Sequence, residues 1–145
     1  MRDQVVRQAT FNRFRQALSA LSGAYDASDA RGFDFAWLPR TRLFGRSAGP
    51  RLVGRLVSRV DSEAVAGAWT DAGRWAPNDD VCVFLMGTDV ATPGELARAI
   101  ADQRRRSRSG RVTLIPVDAR TWDAHLPAGA PAIVKTVLQR LKTGT

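Results

Sequence analysis

The sequence predicts an α/β fold: a small, at least partly parallel sheet flanked by helices in a three-layer, Rossmann-like arrangement. Three observations carry this reading. Val81–Gly87 (VCVFLMG) is a continuous apolar run of strand length, bounded by Asp80 and Gly87, as suits a strand buried on both faces. Arg111–Asp118 (RVTLIPVD) is a second such run. Between them, Thr92-Pro-Gly-Glu95 places an N-cap Thr, a Pro at the first helical position and a Glu three residues on, the pattern of a capping box. Leu96, Ala97, Ile100 and Ala101 carry that helix toward Arg106, and Gly110 stops it. Strand, helix and strand within residues 81–118 make a parallel βαβ unit the default.

The remaining elements are taken in chain order. Residues 3–22 read as a helix, with Phe11, Phe14, Leu18 and Leu21 at three- and four-residue spacing, Tyr25 continuing the stripe and Gly23 as its stop. It is expected to serve as a packing or partner-binding element. Residues 24–32 read as loop, and Phe33–Leu38 (FDFAWL) as an aromatic strand. Arg40–Phe44 (RTRLF) fits a short strand or loop, and Gly45–Gly49 a turn. Pro50–Val60 is expected to be helical, with Leu52, Val53, Leu56, Val57 and Val60 on its apolar face and Arg51, Arg55 and Arg59 stepping by four beside it. A strand also fits, since Arg51, Val53, Arg55, Val57 and Arg59 share one side at period two, but Gly54 and Ser58 weigh against it. Asp61 or Ser62 caps a helix through Arg74 that buries Ala64, Val65, Ala68, Trp69 and Ala72. Trp75–Asp80 is a loop, and Ala132–Lys142 a final helix with Ile133, Val134, Val137, Leu138 and Leu141 on one face. Pro116 argues that the second apolar strand lies near a sheet edge or ends early.

The 145 residues suggest one domain. Alanine supplies 22 of the apolar residues and isoleucine three, so Leu, Val and aromatics must fill a thin core. Cys82 is the single cysteine, which rules out an intramolecular disulfide and any zinc site built on several cysteines. Its place in an apolar strand makes it a buried, inert thiol. The apolar runs are shorter than the roughly 20 residues of a membrane span, and no secretory signal is visible in Met1–Leu21. A cytoplasmic location with no membrane contact is expected. The net charge is +8, and 20 of the 22 basic residues are Arg. Arg pairs bidentately with phosphate, but a G- and C-rich coding sequence of bacterial type also favours Arg over Lys. That bias explains the choice of Arg better than it explains the surplus of charge.

Chemistry in open α/β sheets gathers beyond the carboxyl ends of strands. Those ends carry Asp89 and Asp118. Two carboxylates there suit a Mg²⁺ or a shared proton. They equally suit simple turn caps. Gly45-Arg-Ser47-Ala-Gly49 has the G-x-S-x-G spacing of a nucleophile elbow. The segment before it is short and charged, and no oxyanion segment of HGGG type occurs, so Ser47 is a candidate on spacing alone. His125, the only histidine, is a candidate lone base in a loop. The chain has no Walker A, no G-x-G-x-x-G and no RNA-binding RRM signature. No cofactor and no metal are expected.

Two basic clusters remain. One comprises Arg40, Arg42, Arg46, Arg51, Arg55 and Arg59. The other comprises Arg104, Arg105, Arg106, Arg108 and Arg111. The second sits at a helix C-terminus, where cations also favour the macrodipole. Phosphate binding needs both clusters on one face. The expected function is non-catalytic binding of nucleic acid or an acidic protein partner through Arg51, Arg55, Arg59, Arg104, Arg105, Arg106, Arg108 and Arg111. The alternatives are a small metal-assisted hydrolase or phosphoryl-handling enzyme at Asp89 and Asp118, and a dimerisation or interaction module built on the N-terminal helix. Trp37, Trp69, Trp75 and Trp122 are candidate stacking platforms or interface anchors, with Trp69 expected in the core and Trp75 and Trp122 partly exposed.

Overall fold

Val81–Gly87 lies inside a five-stranded sheet in the computed structural model, which describes residues 2–19, 23–25, 32–39, 50–75, 80–107, 111–127 and 129–143. In chain order the elements are α1 (Arg2–Leu18), β1 (Gly23–Tyr25), β2 (Phe35–Pro39), β3 (Arg51–Leu56), α2 (Ser62–Trp75), β4 (Val81–Gly87), α3 (Pro93–Arg106), β5 (Val112–Asp118) and α4 (Ala132–Thr143). The strands lie side by side in chain order. β1–β2 and β2–β3 are antiparallel, whereas β3–β4 and β4–β5 are parallel. The parallel βαβ unit over residues 81–118 is therefore present, and β3-α2-β4 is a second one before it.

Two layers of helix enclose the sheet, and the alternation along β4 assigns each side chain to a layer. Val81, Val83 and Leu85 meet α2 and α3 through Val65, Ala68, Trp69, Ala72, Leu96 and Ile100. Cys82, Phe84 and Met86 meet α1 and α4 through Phe14, Leu18, Val134, Val137 and Leu141. Every residue of β4 is buried, which is why its sequence runs apolar without a break. Each fully buried Leu, Val or Phe contributes about 1.5–3 kcal/mol relative to exposure. Phe14 anchors α1, with its ring centroid 4.7 Å from that of Phe35 and 5.3 Å from that of Phe84. The helix ends in this layer exchange arginines. Arg13 Nε donates to the Leu141 carbonyl at 2.6 Å, and Arg140 Nη1 to the Ala17 carbonyl at 3.2 Å. Each guanidinium thus satisfies a carbonyl left open in the last turn of the other helix.

The main departure from the sequence-based expectation is the segment after Pro50, which is a strand and not a helix. Leu52 and Val53 are both fully buried and belong to opposite faces of the sheet, which a helix with one apolar stripe does not achieve. Gly54, which weighs against a strand in isolation, is required in this one. A Cβ built there would lie 2.0 Å from a ring carbon of Phe35, its partner across β2. The glycine thus gives the Phe35 ring its place. Ser58 lies beyond the end of the strand. Two smaller corrections concern α1 and the residues after it. The helix ends at Leu18, and Gly23, Ala24 and Tyr25 form an edge strand where a helix stop and a loop are expected. The segments 40–49, 76–79 and 108–110 lie outside the described residues, and with them the RTRLF and GRSAG segments.

The helix starts carry the predicted chemistry. Asp61 Oδ1 accepts from Ala64 N at 2.9 Å and caps α2. Thr92 Oγ1 accepts from Glu95 N at 3.3 Å and caps α3. Glu95 does not close the box on its own helix; its carboxylate accepts from Ser62 N at 3.3 Å, at the start of α2. β5 is an edge strand, one of the two readings of Pro116. Val81 N bonds the Arg111 carbonyl and Ala119 N bonds the Gly87 carbonyl. Odd-numbered residues of β5 therefore turn their backbone groups to β4 and even-numbered ones turn theirs outward, so the N–H that Pro116 lacks falls on the free edge. Segment 122–125 covers part of that edge through Asp118 N to the Asp123 carbonyl and His125 N to the Pro116 carbonyl. Among the described residues no helix is long and apolar enough to cross a membrane.

Candidate nucleic-acid interface

Parallel topology sorts the charged residues between two edges of the sheet. At the carboxyl edge, Arg59 lies 3.7 Å from Asp89, and Arg120 Nε lies 3.6 Å from Asp118. Asp118 also accepts from the Arg120 backbone N–H at 2.9 Å. Both carboxylates are thus engaged locally, one with a neighbouring arginine and one in its own turn. Past the strand ends, Val57 N bonds the Met86 carbonyl, Val60 N the Asp89 carbonyl and Ala91 N the Val60 carbonyl. These bonds zip the connections together between β3 and β4. The order β3-β4-β5 never reverses, and α2 and α3 pack on the same face. A sheet without reversal has no switch point, the place where a crevice opens. Among the described residues no three His, Cys, Asp or Glu side chains converge as a metal site. His125 is exposed, and Ser47 lies outside the described residues.

The amino edge is built differently. Arg51, Val81 and Val112 stand in register at the starts of β3, β4 and β5. Because α2 and α3 each run back from the carboxyl ends, their last turns arrive at the same edge. That brings Arg74 and Trp75 from α2 and Arg104, Arg105 and Arg106 from α3 beside Arg51 and Arg111. The contact between the Arg51 guanidinium and the Trp75 ring, 5.2 Å from its centroid, ties α2 to this edge. Arg74, Arg104, Arg105, Arg106 and Arg111 are exposed, whereas Arg51 and Trp75 are half-buried. The described acidic residues here are Asp80 and Asp102. Asp102 serves two arginines, at 3.0 Å from Arg105 and 3.4 Å from Arg106. Those two side chains nevertheless keep 77% and 73% of their surface in solvent. Exposed pairs of this kind are worth about 0.2–1 kcal/mol.

The predicted basic residues therefore divide, so the first cluster does not join the second on one face as the sequence-based reading of phosphate binding required; of its described members only Arg51 does. Arg51, Arg104, Arg105, Arg106 and Arg111 share the amino edge. Arg59 lies at the opposite edge. Arg55 is enclosed: its guanidinium pairs with Asp71, its Nε donates to the Gly32 carbonyl, and it lies 4.6 Å from the centroid of Phe33. Gly32 has φ +85°, and a Cβ there would come within 2.6 Å of that guanidinium. Arg55 is a fastening between α2 and the segment before β2. Arg108, Arg40, Arg42 and Arg46 lie outside the described residues. Sequence reading missed Arg74, which stands alone in its stretch of sequence; only the end of α2 brings it to the others.

An open groove of about 650 Å³ runs along α3, lined among others by Ser62, Thr92, Glu95, Arg98, Asp102 and Arg105. Its charges balance, and Glu95 already occupies the amino end of α2. Cys82 is buried, and burial, helped by the charge of Asp80, pushes its thiol up to about 12. It stays protonated and unreactive at neutral pH. The N-terminal helix offers little for a partner at its predicted anchors. Phe14 is fully buried, and Phe11 is half-buried edge-on to Phe35. Comparison with protein-family models, with curated proteins and with solved structures finds no match to this chain.

Proposed function

We propose that this protein is a non-catalytic binding domain that holds nucleic acid against the amino edge of its sheet. The observation that carries the reading is the gathering of Arg74, Arg104, Arg105, Arg106 and Arg111 at one edge, opposed there by Asp80 and Asp102. Arginines projecting from helix ends and strand starts track phosphates as mobile charges. They do not present a helix or ribbon to a groove, so they favour backbone contact over base-edge readout. Such contact releases counterions and weakens steeply with salt.

The test is fluorescence anisotropy with labelled 20-mer oligonucleotides, single-stranded and duplex, across a salt series. Binding in the micromolar range at 50 mM salt, falling steeply by 200 mM, is expected. Failure to bind either oligonucleotide at tens of micromolar protein and 50 mM salt sinks the proposal. Saturable binding to an acidic polypeptide under the same conditions would then favour a protein partner for this edge.

A further inference from the structure

The amino edge holds an aromatic ring as well as charge. Of the four tryptophans, Trp37 and Trp69 are buried in the two core layers. Trp122 is half-buried away from this edge, against Phe14 and under Arg13. Trp75 alone among them stands at the basic edge, where it closes α2. It is half-buried, packed in part on the Val81 side of the core, with the Arg51 guanidinium over its ring. Arg74 precedes it in α2, and Arg111 begins the neighbouring strand.

We infer, resting on the reading above, that the Arg51–Trp75 pair is a stacking site for an unpaired base, and that the preferred ligand of this edge is single-stranded nucleic acid. In a duplex each base already has stacking partners on both sides, so an aromatic ring on a basic edge adds nothing to backbone contact. An unpaired base has a bare π-face. It stacks equally on an indole or on the plane of an arginine guanidinium. The half-buried pair presents a guanidinium laid over an indole that is itself backed by the core, so a base would stack on the guanidinium plane with the ring beneath it, and Arg74, Arg104 and Arg111 lie at the same edge for the flanking phosphates. Stacking of this kind tolerates any base, in keeping with an edge whose described residues include no groove-reading element.

The test compares a dT15 oligonucleotide with a 15-base-pair duplex, at one salt concentration, on wild-type protein and three variants. Trp75→Leu is expected to weaken dT15 binding roughly 10-fold and duplex binding less than twofold. Trp75→Phe, which keeps a ring, should recover most of the loss. Arg51→Lys keeps the charge and removes the planar group; it should weaken dT15 several-fold and the duplex markedly less. Because Trp75 also packs on the core, each variant is checked by thermal unfolding. Arg51→Lys and Trp75→Phe remain informative if Trp75→Leu unfolds. Equal losses on both ligands, or no loss on dT15, overturn the stacking inference while leaving phosphate contact at the edge intact. No binding by the wild type removes both readings together.

Discussion

The two edges of the parallel strands come from the same sheet and treat charge in different ways. At the carboxyl edge Arg59 stands beside Asp89 and Arg120 beside Asp118. At the amino edge Arg74, Arg104, Arg105, Arg106 and Arg111 face outward with Asp80 and Asp102 for company. Net charge alone says nothing about where the surplus sits. The difference arises from connectivity. Helices that cross back over parallel strands deliver their C-terminal turns to the strand starts, and cations are favoured in those turns. A macrodipole accounts for a basic residue or two at each helix end. Three consecutive arginines closing α3 exceed what one helix end uses.

A single sheet holds the two edges apart, and the largest expected effect comes from breaking that sheet. Gly54→Val should cost about 3 kcal/mol, because a branched side chain must displace the Phe35 ring; chemical denaturation measures it, and a stability equal to wild type would mean the β2–β3 register is different. Next comes the charge reversal of Arg104, Arg105 and Arg106 to Glu. It should weaken oligonucleotide binding roughly 100-fold at low salt and lower the salt slope by about 3. Binding within twofold of wild type would remove these arginines from the interface.

Alkaline pH probes the amino end of β4. The Cys82 thiol ionises near its ordinary value of 9.0 in the unfolded chain and only at about 12 in the folded one. Above pH 9 the unfolded chain holds fewer protons on this group than the folded chain, so the contribution of Cys82 falls as pH rises. The fall is about 1.4 kcal/mol per pH unit until the folded pKa is reached. Comparing wild type with Cys82→Ala between pH 8 and 10.5 isolates this contribution, and identical pH profiles would mean the thiol is open to water. The smallest effect belongs to the carboxyl edge. Arg59→Glu combined with Arg120→Glu should leave oligonucleotide affinity within twofold at 0.15 M salt, where charges beyond about 8 Å are screened. A loss comparable to that of the α3 reversal would erase the distinction between the edges.

Much of the fold is legible in the amino-acid sequence where local chemistry and burial agree. The unbroken apolar run of β4 and the Thr92 cap each read one way, and the structure carries both; Pro116 fits an edge strand or an early end, and the structure shows the edge. Arg51–Leu56 is not legible in this way. Its spacing suits both periods, and the partners that decide it, Phe35 across one side and β4 across the other, are remote in sequence. The proposed interface is half legible for the same reason. The run of arginines ending α3 announces itself, but Arg74 and Arg51 join it only through topology. Arg55 reads as one more surface cation until Asp71 and the Gly32 carbonyl enclose it.

The exchange of arginines between α1 and α4 has a consequence for the order of assembly. Arg13 reaches a carbonyl 128 residues further along the chain, and Arg140 one that lies 123 residues before it. A nascent chain emerging amino end first exposes α1 long before α4 exists. Until Ala132–Thr143 has emerged, Phe14 and Leu18 lack half of their covering layer, and the last turn of α1 lacks its donor. Contacts of such sequence separation form late, after their loop-closure cost has been met. α1 is therefore expected to be secured only once the twelve-residue α4 has been made and has packed beside it.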